Sequence, residues 1–281
     1  MILSYHPCFI ADENRICAGR TPDRTDLDAI RAAKAVILPQ GCTPPLYTMA
    51  RHNCPKVFPN YDIRFQYPGK TGQIRLFQRM GIPHPASTAY TDTATYRARV
   101  GRFDLPAGFT FPVVFKFDWG GEGDTVVLIR HRGDLEKQFQ MAIRYEKSGQ
   151  KGFILQKYIP SEGRVLRVVR MGTLFRTYWR VAPNTDQFPV NLSHAAIIDY
   201  KSDPHLQKAA VTLLEQFCDR TGVNLAGFDF IFPTNESPPD PLLLEINYFF
   251  GREGLGGSAT YLDLLTKQIR HWISMQNMAD D

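Results

Sequence analysis

Two short apolar runs near the C-terminus, Ala226-Gly227-Phe228-Asp229-Phe230-Ile231-Phe232 and Pro241-Leu242-Leu243-Leu244-Glu245-Ile246-Asn247, flank a stretch, 233–240, rich in Pro, Asn, Ser and Asp. The runs read as strands and the polar stretch as the loop joining them. Side chains two apart on a strand share a face, so Glu245 and Asn247 point together and away from their apolar neighbours. An antiparallel register whose residue numbers sum to 474 sets Asp229 opposite Glu245, whereas a slip of one residue turns Asp229 to the other face. Three hard oxygen side chains with no Cys or His beside them suit Mg2+, with Mn2+ an acceptable substitute, and not zinc. Magnesium keeps waters and nucleotide phosphates as its remaining ligands, so the chain is expected to hold phosphates elsewhere. The run Leu242-Leu243-Leu244 predicts a strand covered on both sides, where an ionised Glu245 needs a partner or a metal. The plain alternative is an ordinary hairpin whose polar residues face water.

The 281 residues have room for two or three small domains, and 43% hydrophobic with 22% charged residues is the composition of a globular protein. A net charge of +5 without a dense Lys/Arg run points to an anionic ligand and gives no direct nucleic-acid signal. No segment approaches the roughly 18 apolar residues of a membrane span, and the first residues lack the charged start and apolar stretch of a leader, so a cytoplasmic protein is expected. Five cysteines with no C-x-x-C pair predict buried free thiols, and the seven histidines show no metal spacing.

Residues 1 to about 85 alternate apolar runs with turns. Asp26 to Lys34 and Gln73 to Met80 have helical spacing, Ala35 to Pro39 reads as a buried strand, and Gly81-Ile82-Pro83-His84-Pro85 closes a small α/β unit. Strands are denser beyond it: Phe111 to Phe117, Asp124 to Arg130, Gly152 to Ile159, Val165 to Val169 and Leu174 to Val181. Helices are expected over Asp134 to Lys147, Pro204 to Thr221 and Ser258 to Ser274. Without strict βαβ alternation, this order predicts α+β subdomains.

Phe111 to Phe117 embeds one cation, Lys116, among apolar neighbours, and Asp118-Trp119-Gly120-Gly121-Glu122-Gly123 follows at once. A lysine there is costly unless it meets an anion. Gly120, Gly121 and Gly123 let the backbone approach a ligand and turn N–H groups toward phosphate oxygens. Trp119 is read equally as a contact over a bound ligand and as packing. Gly69-Lys70-Thr71 is not a Walker A loop, because Arg64 stands where the upstream glycine is required.

In order, the embedded lysine, the glycine loop, the strand Phe153-Ile154-Leu155-Gln156-Lys157-Tyr158-Ile159-Pro160, Asp229 and the Glu245/Asn247 pair resemble the ATP-grasp superfamily, in its glutathione synthetase and RimK-like branch. The resemblance spans roughly Lys70 to Gly257. It implies an N-terminal α/β domain over 1–85, a lid subdomain over 86–160 and a C-terminal subdomain with the metal site over 161–281. It also implies that Lys116 binds the α- and β-phosphates under the loop of Gly120, Gly121 and Gly123, and that Lys70 is a further phosphate-binding lysine. Gln156, Lys157, Tyr158 and Ile159 become the hinge holding adenine, and Glu162 is placed for the ribose. Arg167 and Asn191 sit near the triphosphate, Arg180 near the γ-phosphate or an acyl phosphate, and Asp229, Glu245 and Asn247 hold the metal. Lys157 and Val165 depart from the branch, which commonly has acidic residues there, and 251–257 matches no one substrate.

The implied function is an ATP- and Mg2+-dependent ligase joining a carboxylate to an amine or thiol through an acyl phosphate, with Arg180 and Lys116 catalytic. Its partners are then small-molecule or peptide substrates, and a homodimer is the default assembly. Two other readings stay open: a kinase acting on a hydroxyl, suggested by Arg164, Arg167, Arg170, Arg176 and Arg180, and a non-catalytic nucleotide-binding module.

Overall fold

The computed structural model describes residues 1–120, 125–184, 188, 196–234 and 239–278. It contains three sheets. The first is built from β1 (Ile2–Ser4), β2 (Glu13–Asn14), β3 (Ala35–Ile37) and β4 (Val57–Phe58), all parallel and ordered β2-β1-β3-β4. Helices α1 (Arg24–Ala32), α2 (Pro44–Asn53) and α3 (Asp62–Gln66) connect and flank these strands. The helix expected from Asp26 begins two residues earlier, because Asp23 caps it and Asp26 completes a capping box from inside the first turn.

Helix α4 (Gly69–Met80) leads into the second sheet, ordered β5-β8-β6-β7 and antiparallel throughout. Its members are β5 (Ser87–Tyr90), β6 (Val113–Phe117), β7 (Val126–Ile129) and β8 (Phe153–Lys157), with α5 (Thr93–Arg99) and α6 (Arg132–Lys147) between them. Alternation along β6 sends Val113, Phe115 and Phe117 into an aromatic core with Phe139 and Phe153. Lys116 therefore points out of the opposite face.

The third sheet carries β9 (Arg164–Met171), β10 (Leu174–Val181), β11 (Ile197–Asp199), β12 (Leu225–Ile231) and β13 (Leu242–Asn247), in the order β11-β10-β9-β12-β13. One face, with Leu166, Val168, Phe228 and Phe230, packs on α7 (Pro204–Thr221) and on Ile74 and Phe77 of α4. The other buries Val169, Met171 and Leu225 against Tyr261, Leu265 and Ile269 of α8 (Gly257–Met278). Beyond α8, that second face carries the charged residues described below.

The expected register is present: Asp229 pairs with Glu245, Phe228 with Ile246 and Gly227 with Asn247. It shifts by one between Asp229 and Phe230, so that Phe230 meets Leu243 and Leu244 is the extra residue of a bulge. The expectation of a strand covered on both sides does not hold. Strand β13 is the sheet's edge, and it buries Leu243 and Ile246, three apart, because the bulge absorbs Leu244. The edge is blunted by the Leu243 N–H donating to Pro83 O at 2.9 Å and by Gln73, whose side chain donates to Ile246 O and accepts from Ile246 N–H, both at 2.8 Å.

Of the five thiols, Cys17, Cys42, Cys54 and Cys218 are buried and Cys8 is exposed. Trp119 packs on Phe117 and Tyr145, with ring centroids 4.6 and 5.1 Å apart. Since Leu214 is fully buried between α7 and the third sheet, Leu214→Ala is expected to cost about 2–5 kcal/mol in urea unfolding.

Candidate functional site

Strand alternation decides which polar residues meet. On β9, β10, β12 and β13 the side chains of Arg167, Arg180, Asp229, Glu245 and Asn247 share the face not covered by α7. Asp229 is at their centre. Arg167 donates to it through Nε at 2.5 Å and Nη2 at 3.1 Å, Arg180 Nη2 lies 2.5 Å from Oδ1, and Asn247 Nδ2 donates to Oδ2 at 3.2 Å. Burial alone would raise this carboxyl, but the charges and hydrogen bonds of the two arginines overcome it and hold the pKa at about 2.

Two lysines complete the cluster. Lys70 Nζ lies 3.5 Å from Glu245 Oε1 and donates to Gly120 O at 3.3 Å. Lys116 is buried; desolvation pulls its pKa down to about 8 against the opposing pull of Glu245, with Lys70 lowering it further and Asp229 raising it. Four cations thus face two carboxylates, an excess of positive charge in a largely buried setting. Arg180 Nε is moreover buried without an acceptor among the described residues. Excess buried charge and an orphaned donor both call for an anionic ligand.

Position depends on two residues that the sequence reading passed over. Asp118 accepts the Thr71 N–H at 2.6 Å and so caps α4 from the second sheet, which is why the helix starts at Gly69 and not near Gln73. Its carboxylate also lies where a Cβ on Gly69 would fall, at 2.5 Å, so that position takes glycine, at φ +68°. One turn on, Gln73 fastens the same helix to β13. Lys70 is therefore held between both sheets. Neither contact leaves a local signal, since each partner is remote in sequence.

The remaining expected site residues are placed as follows. Gln156 is buried and donates to Ser87 Oγ at 2.9 Å, and the Lys157 N–H donates to Ala86 O at 2.8 Å. Lys157 is exposed; Tyr158 and Ile159 are half-buried at the strand end. Glu162, in the left-handed backbone region at φ +52°, lines a cavity of about 180 Å³ with Arg164, Trp179, Leu206 and Phe232. Trp179 and Leu206 put that cavity on the α7 side, apart from the Asp229 cluster. Gly120 is described, at φ +83°, whereas Gly121, Gly123 and Asn191 lie outside the described residues. Of the other arginines, Arg164 pairs with Asp203 at 2.5 Å and Arg170 lies 3.8 Å from Asp219, both from the face turned away from the cluster.

The donor set fits magnesium. Asn247 turns its amide nitrogen to Asp229, leaving its oxygen without a protein donor among the described residues, and Glu245 is 30% exposed beside it. Among those residues no group of three His, Cys, Asp or Glu is placed to hold a metal ion by itself.

Residues 69–272 match the RimK-like ATP-grasp domain model, so the chain belongs to the RimK-like ATP-grasp family. Solved structures share its fold. A RimK domain ATP-grasp protein from Sphaerobacter thermophilus DSM 20745 is 16% identical with TM-score 0.59, over 95% of this chain and 98% of that one. D-alanine–D-alanine ligase from Bacillus anthracis complexed with ATP is 13% identical with TM-score 0.61, over 96% and 89%. N5-carboxyaminoimidazole synthetase from Staphylococcus aureus complexed with ADP is 11% identical with TM-score 0.59; 88% of this chain spans 63% of that longer one. No curated protein matches the sequence. No helix among the described residues is long and apolar enough to cross a membrane.

Lys116→Met is expected to abolish nucleotide binding, read by calorimetry with ADP, while stabilising the free protein by about 1–3 kcal/mol, because it removes a buried charge. A lysine at about 8 in the fold and 10.5 in the open chain binds fewer protons when folded across that window, so its contribution to stability rises from pH 8 to 10.5. The wild type should show that rise relative to Lys116→Met, and its ADP affinity should fall as pH passes 8.

Proposed function

We propose that the chain is an ATP-dependent ligase that joins a carboxylate to an amine through an acyl phosphate. The observation that carries this is the buried cluster of Lys70, Lys116, Arg167 and Arg180 around Asp229 and Glu245, with positive charge in excess. A carboxylate is a poor acyl donor, so one of its oxygens first attacks the γ-phosphorus and ADP leaves. The amine nitrogen then attacks the acyl carbon, free phosphate leaves and the nitrogen loses a proton to water.

Each step asks for placed positive charge more than for covalent chemistry by the protein. Lys116 and Lys70 neutralise phosphate oxygens from the second sheet and from α4. Arg180, whose Nε has no acceptor among the described residues, would meet the transferring phosphoryl group, while Arg167 holds Asp229, with which Arg180 also pairs. Glu245 and Asn247 would hold Mg2+, with Asp229 as a third oxygen donor shared with the arginines; the ion supplies charge neutralisation on the phosphates when bound. The glycine-rich segment that begins at Gly120 would exclude water from the acyl phosphate; its residues 121–124 lie outside the described residues.

The ligase reading is preferred to a kinase of polyanionic substrates on one observation. Arg164 and Arg170 turn to the opposite face and pair with Asp203 and Asp219, which breaks up the basic row that such substrates need. The domain limits of 1–85, 86–160 and 161–281, the adenine hinge at Gln156–Ile159 and the ribose role of Glu162 are part of the same proposal. Glu162 would have to turn from its present cavity to serve it.

The test is a screen of amino acids and small peptides with Mg-ATP. The expected result is acceptor-stimulated release of ADP and free phosphate with a new amide product, reduced about 10²-fold or more in Glu245→Ala. Phosphate left on an acceptor hydroxyl would replace the ligase with a kinase. Nucleotide binding with no stimulated turnover by any acceptor would make the chain a binding module.

A further inference from the structure

We propose that Lys70 guards the metal site: its ammonium holds Glu245 until nucleotide phosphates draw it away, so that the divalent ion binds after the nucleotide. This rests on the nucleotide and Mg2+ placement given above and is independent of acyl transfer. Lys70 Nζ lies 3.5 Å from Glu245 Oε1 and donates to Gly120 O at 3.3 Å. The lysine is 8% exposed, so water and salt screen this pair less than they screen a surface one.

An ion at this place depends on Glu245 above all. The two oxygens of Asp229 are already engaged, Oδ1 by Arg167 Nε and Arg180 Nη2, and Oδ2 by Arg167 Nη2 and Asn247 Nδ2. Glu245 is more exposed, and among the described residues it has no ion pair other than the one with Lys70. A Mg2+ ion about 2.1 Å from Oε1 would share that oxygen with an ammonium. Lys70, Lys116, Arg167 and Arg180 also outnumber Asp229 and Glu245, so the surroundings as a whole repel a divalent cation that arrives alone.

The exchange asks only a side chain to move. The first turn of α4 is fixed by Asp118, which accepts the Thr71 N–H at 2.6 Å, and by Gln73, which bonds to Ile246 N and O at 2.8 Å. Lys70 has a four-carbon stem and three donors on one compact charge. Its second contact, Gly120 O, stands at the root of the glycine-rich segment, where phosphates are expected. A phosphate there gives the ammonium a stronger anion, and Glu245 comes free as the ion's remaining ligands arrive. Lys116, with no carboxylate at ion-pair distance among the described residues, has no partner to exchange.

Free Mn2+, read from its EPR signal against a protein-free ADP titration, tests this on the full chain with metal alone and with metal plus ADP. Wild type is expected to bind Mn2+ at least about tenfold more weakly alone than with ADP, and Mn2+ should strengthen ADP binding by the same factor. Lys70→Met should bind Mn2+ alone about tenfold more tightly than wild type does, and no more tightly once ADP is bound. Lys70→Arg should keep the weak binding, and Lys116→Met should gain less than Lys70→Met. Equal Mn2+ affinity with and without ADP in wild type would overturn the proposal. So would an unchanged affinity in Lys70→Met, an equal gain in that variant whether or not ADP is bound, or as large a gain in Lys116→Met. Absence of Mn2+ binding in every condition would remove the metal site of the proposed function as well. Gating by Lys70 with no acceptor-stimulated turnover would keep this inference and drop the ligase.

Discussion

Asp229 is the fixed point of this molecule. A carboxylate buried on the third sheet takes hydrogen bonds from Arg167 and Arg180 and from Asn247. Removing Asp229 would leave two buried arginines without their carboxylate, at a cost far above that of a surface ion pair. The arginines are therefore locked in rotamer and direction before any ligand arrives. Such advance ordering is what electrostatic stabilisation of a transferring phosphoryl group requires, because donors already in place need no reorganisation during reaction.

The second sheet brings a different kind of group to the same place. Lys116 has no carboxylate within ion-pair distance among the described residues, and its burial weakens its hold on a proton. That arrangement is unfavourable for the isolated fold and favourable once an anion binds, the usual exchange of stability for function at a site. Helix α4 joins the two halves, through Asp118 of the second sheet at its first turn and through Gln73 to the edge strand of the third.

Much of the site could be read from order and spacing. The pairing of Asp229 with Glu245, the outward turn of Lys116 from an apolar strand and the extent of α7 follow from periods of two and of 3.6 that survive any context. The start of α4 could not be read, because its cap comes from Asp118, 47 positions away in sequence. Nor could the sorting of the arginines: the row from Arg164 to Arg180 looks uniformly basic, yet the pleat and the antiparallel β9–β10 pairing send only part of it to the cleft.

The amino-acid order by itself determined β3, β6 to β10, β12 and β13, which of their residues share a face, and that carboxylates and an embedded lysine lie on them. Tertiary structure alone decided that β13 is an edge carrying a bulge at Leu244, that Gln73 and Asp118 hold Lys70 between two sheets, and that Tyr261 meets Gln40 across more than two hundred residues. The physical reason is range. Periodicity and propensity act over one or two turns of chain, whereas caps, edge contacts and charge pairing depend on which distant backbone happens to close the gap.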